Sequence, residues 1–115
     1  QPKLKGKIMT KLETNALRII ELLYPDIDIN GIEKYKDFFS TYNGLMPIVF
    51  ECNSGISFGI TIRPDDIMLH DYSRNKYWFD CNYKKEPEFI EALQLTCIKY
   101  LELKCQQLNI ADNIE

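Results

Sequence analysis

Apolar side chains recur along this chain with two different periods, and the change near residue 46 divides it. Before it the spacing is helical: Leu12, Ala16, Ile19, Ile20 and Leu23 fall on one face, with Glu13, Arg18 and Glu21 outside it. Thr10-Lys11-Leu12-Glu13 has the form of a capping box, in which the Thr hydroxyl and the Glu carboxylate each accept a backbone N–H of the opening turn. Tyr24-Pro25 stops this helix, because a residue before proline is pushed out of the α region. A second helix is expected within residues 26–43, capped by Asp28 or Asn30, burying Ile32, Tyr35, Phe38 and Phe39, and ending before Asn43-Gly44.

From Met46 the period becomes two. Ile48, Phe50 and Cys52 alternate with Val49 and Glu51, and Asn53-Ser54-Gly55 reads as a turn. Ile56, Phe58, Ile60 and Ile62 then alternate with Ser57, Gly59, Thr61 and Arg63. Pro64-Asp65-Asp66 makes the next turn, Ile67–Tyr72 the third strand, residues 73–76 another turn, and Tyr77–Asn82 the fourth strand. Connections this short require antiparallel neighbours. A closing helix opens at Pro87 with Glu88 and Glu91 at its positive end, and Ile90, Leu93, Cys97, Leu101, Cys105 and Leu108 form its apolar stripe, with Phe89 and Tyr100 beside it.

The predicted fold is therefore α+β: one N-terminal helix or two, a four-stranded antiparallel meander, and a long C-terminal helix packed on the sheet. Helices on one face of a sheet leave the other face open, and alternation then sorts the residues. Ile48, Phe50, Cys52, Ile56, Phe58, Ile60, Ile62, Ile67, Leu69, Tyr77, Phe79 and Cys81 form the helix-facing set. The opposite set is Val49, Glu51, Ser57, Gly59, Thr61, Arg63, Met68, His70, Tyr72, Trp78, Asp80 and Asn82. Met, His, Tyr and Trp bracketed by Arg and acids are residue types that suit a protein interface, and Gly59 leaves a shallow place between them. The competing arrangement puts helices on both faces and makes part of this set core.

Composition narrows the classes. At 115 residues the chain is one domain, and 45% hydrophobic content with 12% aromatics excludes disorder. No apolar run approaches the roughly 18–20 residues needed to span a bilayer. The net charge of −3 hides an asymmetry: residues 1–8 carry three Lys and no acid, so residues 9–115 hold 11 basic against 17 acidic groups, or −6. That leader reads as a remnant of expression or a flexible basic arm, Met9-Thr10-Lys11 as a plausible native start, residues 9–108 as the domain, and 109–115 as a frayed tail. An acidic body repels nucleic-acid phosphates, and Lys84-Lys85 is its one adjacent basic pair.

Candidate chemistry adds little. Cys52, Cys81, Cys97 and Cys105 could pair in three ways, but nothing indicates secretion, so reduced, buried thiols are expected, and their spacings suit no zinc site. A thiol catalyst built from Cys52 or Cys81, His70 and Asp71 or Asp80 is opposed by alternation, which sends Cys81 to one face and His70 and Asp80 to the other. Asp65-Asp66 reads as turn acids, whereas Asp71 and Asp80 on neighbouring strands could approach as a hydrolase's carboxylates would. No phosphate loop, nucleophile elbow or zinc-protease motif is present, so neither catalytic residue, metal ligand nor cofactor is assigned.

One resemblance bears on setting. The meander with Ser57-Phe58-Gly59-Ile60 and the aromatic strand Tyr77-Trp78-Phe79-Asp80-Cys81, followed by Pro87-Glu88-Phe89-Ile90-Glu91-Ala92-Leu93, resembles small α/β sandwich-type accessory proteins of bacteriophages and mobile elements over residues 10–108. Residues 26–43 depart from that pattern, and the family, mostly of unknown function, supplies no catalytic residue. It implies a bacterial cytoplasm. The expected function is that of a small acidic, non-enzymatic binder of a basic protein partner, of the inhibitor, immunity or anti-defence type. Arg63, His70, Tyr72, Trp78 and Asp80 are its predicted contact residues. Two alternatives compete: a small-molecule binder whose pocket is framed by Gly59, Arg63 and Trp78, and a hydrolase using Asp71, Asp80 and His70.

Overall fold

The computed structural model describes residues 3–4, 7–72, 76–83 and 88–114, with side chains at 9–72, 80, 81, 83 and 88–106. Its order is a short hairpin of β1 (Lys3–Leu4) and β2 (Lys7–Ile8), then α1 (Lys11–Leu23), α2 (Ile29–Lys36), a 3₁₀ turn (Phe38–Ser40) and α3 (Tyr42–Ser54). A three-stranded antiparallel sheet follows, β3 (Phe58–Ile62), β4 (Asp66–Asp71) and β5 (Lys76–Asn82) in that spatial order, and α4 (Glu88–Ile114) closes the chain.

The N-terminal signals act as their chemistry dictates. Thr10 Oγ1 accepts the Glu13 N–H at 3.2 Å and the Thr10 N–H donates to Glu13 Oε1 at 3.1 Å, so the capping box is complete. Ala16, Ile19 and Ile20 are the buried residues of α1, and the helix ends at Tyr24. Asp28 caps α2 by accepting the Gly31 N–H at 2.8 Å, but the helix stops at Lys36. Phe38 and Phe39 belong to the 3₁₀ turn, which buries only Phe39.

The expected first strand is a helix. Residues 45–52 are almost wholly apolar, so a period of two and a period of 3.6 both fit them, and burial decides. Ile48 and Val49 would face opposite sides of a strand, yet both are buried with Leu45 and Cys52, the i, i+3, i+4, i+7 set of a helix. Phe50, assigned to the core by alternation, is 63% exposed, whereas Val49, assigned to the outer face, is 3% exposed. The helix starts because the Thr41 hydroxyl accepts the Gly44 N–H at 3.1 Å. Asn43-Gly44 thus lies in the opening turn of α3, not at the end of α2, and Pro47 sits inside the helix. The meander accordingly has three strands rather than four.

Within the sheet, alternation holds in part. Phe58, Ile60, Ile67 and Leu69 are buried on the helix side, but Ile56, ahead of β3, and Ile62, at its end, both expected there, are 92% and 36% exposed. The side chains of Tyr77 and Phe79 lie outside the described residues. The register pairs Gly59 with His70, Ile60 with Leu69, Met68 with Asp80 and Ile67 with Cys81; it shifts between Leu69 and His70, so that His70 pairs with Tyr77. Both α3 and α4 contact the sheet, and α4 is also packed against α1 and the 3₁₀ turn. Its buried residues, Ala92, Leu93, Gln94, Thr96, Cys97, Tyr100, Leu101 and Leu103, cover more than half its circumference, wider than the predicted stripe. The closing helix is therefore central, with the sheet on one side and α1 on the other.

Edge strand β3 is guarded by a side chain. Asn53, in the last turn of α3, donates from Nδ2 to the Ile60 carbonyl at 3.0 Å and accepts the Ile60 N–H at its Oδ1 at 2.6 Å. The amide copies a neighbouring strand for one residue and blocks pairing by another chain there. Asn53→Ala should lower unfolding free energy by about 1–2 kcal/mol in urea titration, through two lost hydrogen bonds beside a partly exposed strand.

Candidate functional site

The sheet face turned away from α3 and α4 carries the predicted contact residues in two groups. At the β3–β4 turn, the Arg63 guanidinium donates from Nε and one Nη to the two carboxylate oxygens of Asp66, both at 2.6 Å. The Arg63 N–H donates to the Asp66 carbonyl at 2.8 Å, and Tyr83 ties this turn to the end of β5. Its hydroxyl donates to the Arg63 carbonyl at 2.6 Å and its N–H to the Asp65 carbonyl at 2.8 Å. A bidentate fork of this kind fixes both partners' geometry. Asp66 thus opens β4 as a buried ion-pair partner of Arg63 rather than as a turn acid bonded to backbone N–H groups.

Asp80 on β5 completes this corner. Its carboxyl hydrogen-bonds with that of Asp66, and this neighbour, reinforced by partial loss of hydration at the corner, pushes the Asp80 pKa up, while Arg63 pulls it the other way. Arg63 holds Asp66 below the usual carboxylate range. Of the two acids, Asp66 is therefore the one held more firmly as the carboxylate, and Asp80 takes up a proton more readily as pH falls. The expected approach of Asp71 to Asp80 does not occur: Asp71 pairs with Phe58 and Lys76 and is buried on the helix side, whereas Asp80 pairs with Met68 and is exposed. Side-chain alternation separates them.

The second group surrounds Gly59. The Tyr72 ring lies 4.6 Å from that of His70, and a Cβ at Gly59 would meet the Tyr72 hydroxyl and ring. The place left by the missing side chain is filled by Tyr72, which is itself 53% exposed, with His70 half-buried beside it. Trp78 falls at the register shift of β5, and its side chain lies outside the described residues, as do Lys84-Lys85 and Pro87. Arg63, Asp66 and Asp80 thus form one cluster, His70 and Tyr72 another.

No family model, curated protein or solved structure matches this chain. Function rests on the geometry. Among the described residues, no group of three or more His, Cys, Asp or Glu side chains is placed to hold a metal ion, and no helix is long and apolar enough to cross a membrane. All four cysteines are unpaired. Burial pushes the Cys52 and Cys97 thiols up to about 12, which favours the neutral thiol over the thiolate.

A third polar group escaped the sequence reading. Glu51 on α3 accepts the Tyr100 hydroxyl of α4 at 2.9 Å through one oxygen and Lys104 Nζ at 3.0 Å through the other. Lys104, followed by Tyr100, lowers the Glu51 pKa; burial and the carboxylate raise that of Tyr100, whose hydroxyl stays a donor. Tyr100 and Lys104 stand four apart on one helix face, which is a signal, but Glu51 was placed on a strand and the connection could not be drawn.

Proposed function

We propose that this protein is a small acidic, non-enzymatic binder that acts by protein–protein contact through the outer face of its three-stranded sheet. The observation that supports this reading is the asymmetry of the sheet. Its helix side is packed with Phe58, Ile60, Ile67 and Leu69, while Thr61, Arg63, Tyr72 and Asp80 are exposed on the outer side and its turn. Tyr and Arg are residues that anchor interfaces, and the Arg63–Asp66 clamp holds its corner in one geometry before any partner arrives.

A basic protein partner fits the charge. Asp65, Asp66 and Asp80 at that corner outnumber Arg63, and residues 9–115 are acidic overall, so a cationic surface is attracted and steered. As part of the same reading we place the protein in a bacterial cytoplasm, as a phage or mobile-element accessory protein of the inhibitor, immunity or anti-defence type. The same geometry favours this reading over a pocket framed by Gly59 and Arg63 or a hydrolase built on Asp71 and Asp80, since Tyr72 lies over Gly59, Arg63 is paired with Asp66, and Asp71 and Asp80 lie on opposite sides of the sheet.

The full chain, immobilised and exposed to host lysate, should retain a basic partner. Tyr72→Ala and Asp80→Lys should each weaken that capture at least tenfold, while Glu21→Ala on the far surface leaves it unchanged. Thermal melts of the Tyr72→Ala and Glu21→Ala proteins should stay close to the parent, as exposed substitutions usually change stability by no more than about 0.5 kcal/mol, while Asp80→Lys, which loses the hydrogen bond to Asp66, should melt somewhat lower but remain folded. Capture that survives both sheet variants, or a Tyr72→Ala protein that unfolds, overturns the reading.

A further inference from the structure

Away from the outer sheet face, between the end of α3, the start of β3 and the middle of α4, lies a cleft of about 190 Å³ lined by Glu51, Cys52, Ile56, Phe58, Tyr100 and Lys104. We infer that this cleft is a ligand site for a neutral, single-ring aromatic molecule bearing a hydroxyl group, of the phenol class.

Size sets the first limit. An apolar cavity of about 150 Å³ in another protein takes up benzene, so a cleft of 190 Å³ has room for one six-membered ring and a substituent. The inner walls suit a ring: Phe58 and Tyr100 are buried and already meet edge to face, with centroids 5.7 Å apart and planes at 76°. The neutral, buried Cys52 thiol adds a polarizable surface, and a third ring beside an aromatic pair gains both burial and edge-to-face attraction.

The polar end sets the second limit. Glu51 and Lys104 contribute opposite charges, so the rim is neutral as a whole. An anionic ligand attracted to Lys104 meets Glu51 within hydrogen-bond distance of it, and a cationic ligand attracted to Glu51 meets Lys104. A neutral hydroxyl escapes both penalties. Each Glu51 oxygen has a second lone pair beyond those accepting Tyr100 and Lys104, and an ammonium has three N–H donors, of which Lys104 directs one at Glu51. A hydroxyl donates and accepts, so one group can give its proton to Glu51 and receive one from Lys104. The half-exposed rim lets the ligand enter without unfolding.

The test is a two-dimensional amide NMR titration of the full chain with phenol, benzoate and benzylamine. Phenol should produce saturable shifts confined to residues 51–58 and 100–104, and both charged probes should bind at least tenfold more weakly. The charge argument makes a sharper demand on variants. In Glu51→Gln the Lys104 cation is left unbalanced, and benzoate should overtake phenol; in Lys104→Gln benzylamine should do so. Loss of packing would weaken all three probes together and could not invert their order. Absence of saturable shifts with phenol in the parent chain, equal binding of the three probes, or an order unchanged in both variants overturns the proposal.

Discussion

Replacing Gln94 by Met is expected to lower the unfolding free energy by about 2–4 kcal/mol, a fall in melting temperature of roughly 8–15 °C for a domain this size. Gln94 is fully buried in α4. Its Nε2 donates to the Leu12 carbonyl of α1 and to the Phe39 carbonyl of the 3₁₀ turn, each at 2.8 Å, and its Oε1 accepts from Asn15 Nδ2 at 3.2 Å. Three elements are thereby joined through one amide. Met keeps the volume but removes both donors, so the cost reads the polar term rather than a cavity. Gln94→Glu should be worse at neutral pH, because a carboxylate would face two carbonyl oxygens. Its folded-state pKa is then raised above the unfolded value, so the lost stability should return as pH falls. Denaturant titration of both variants at pH 7 and pH 5 checks the order. A Met variant as stable as the parent would show that the knot contributes nothing net.

Gly44→Ala is the second large effect, and its sign separates two arguments. In an exposed helix the change would stabilise by up to about 1 kcal/mol, since Ala is the better helix former. Here a Cβ would overlap the Phe38 carbonyl, a backbone atom that cannot swing aside. That carbonyl also accepts the Thr41 hydroxyl at 2.8 Å and the Thr41 N–H at 3.3 Å, so moving it disturbs the residue that caps α3. Overpacking against fixed backbone together with a weakened cap should cost about 2–4 kcal/mol. Calorimetry decides between them. Gly59→Ala makes a useful contrast, because the obstructing group there is the end of an exposed Tyr72 side chain that can move.

Local signals proved legible where one interaction dominates. The Thr10 box, the Asp28 cap, the stop before Pro25 and the alternation of Phe58, Ile60, Ile67 and Leu69 depend on neighbours within four residues or on one buried face, and each has the expected structure. Residues 45–52 failed that test. A nearly continuous apolar run carries no period, so the choice between strand and helix lay with the Thr41 cap and with burial of Ile48 and Val49 on the same side. That single error also hid Glu51 from Tyr100 and Lys104, 49 and 53 residues further along.

The sequence by itself determined an acidic α+β chain with an N-terminal capped helix, an antiparallel meander and a long closing helix, because these follow from period, caps and charge counts. The tertiary structure alone decided which acids meet. Asp80 finds Asp66 and not Asp71 because strand register, set by packing on α4, fixes which side chains share a face. It likewise decided that α4 is buried on both sides, which turned Gln94 from a polar position beside the stripe into a junction of three elements. Such contacts join residues dozens of positions apart, and only the packed chain brings them within hydrogen-bond distance.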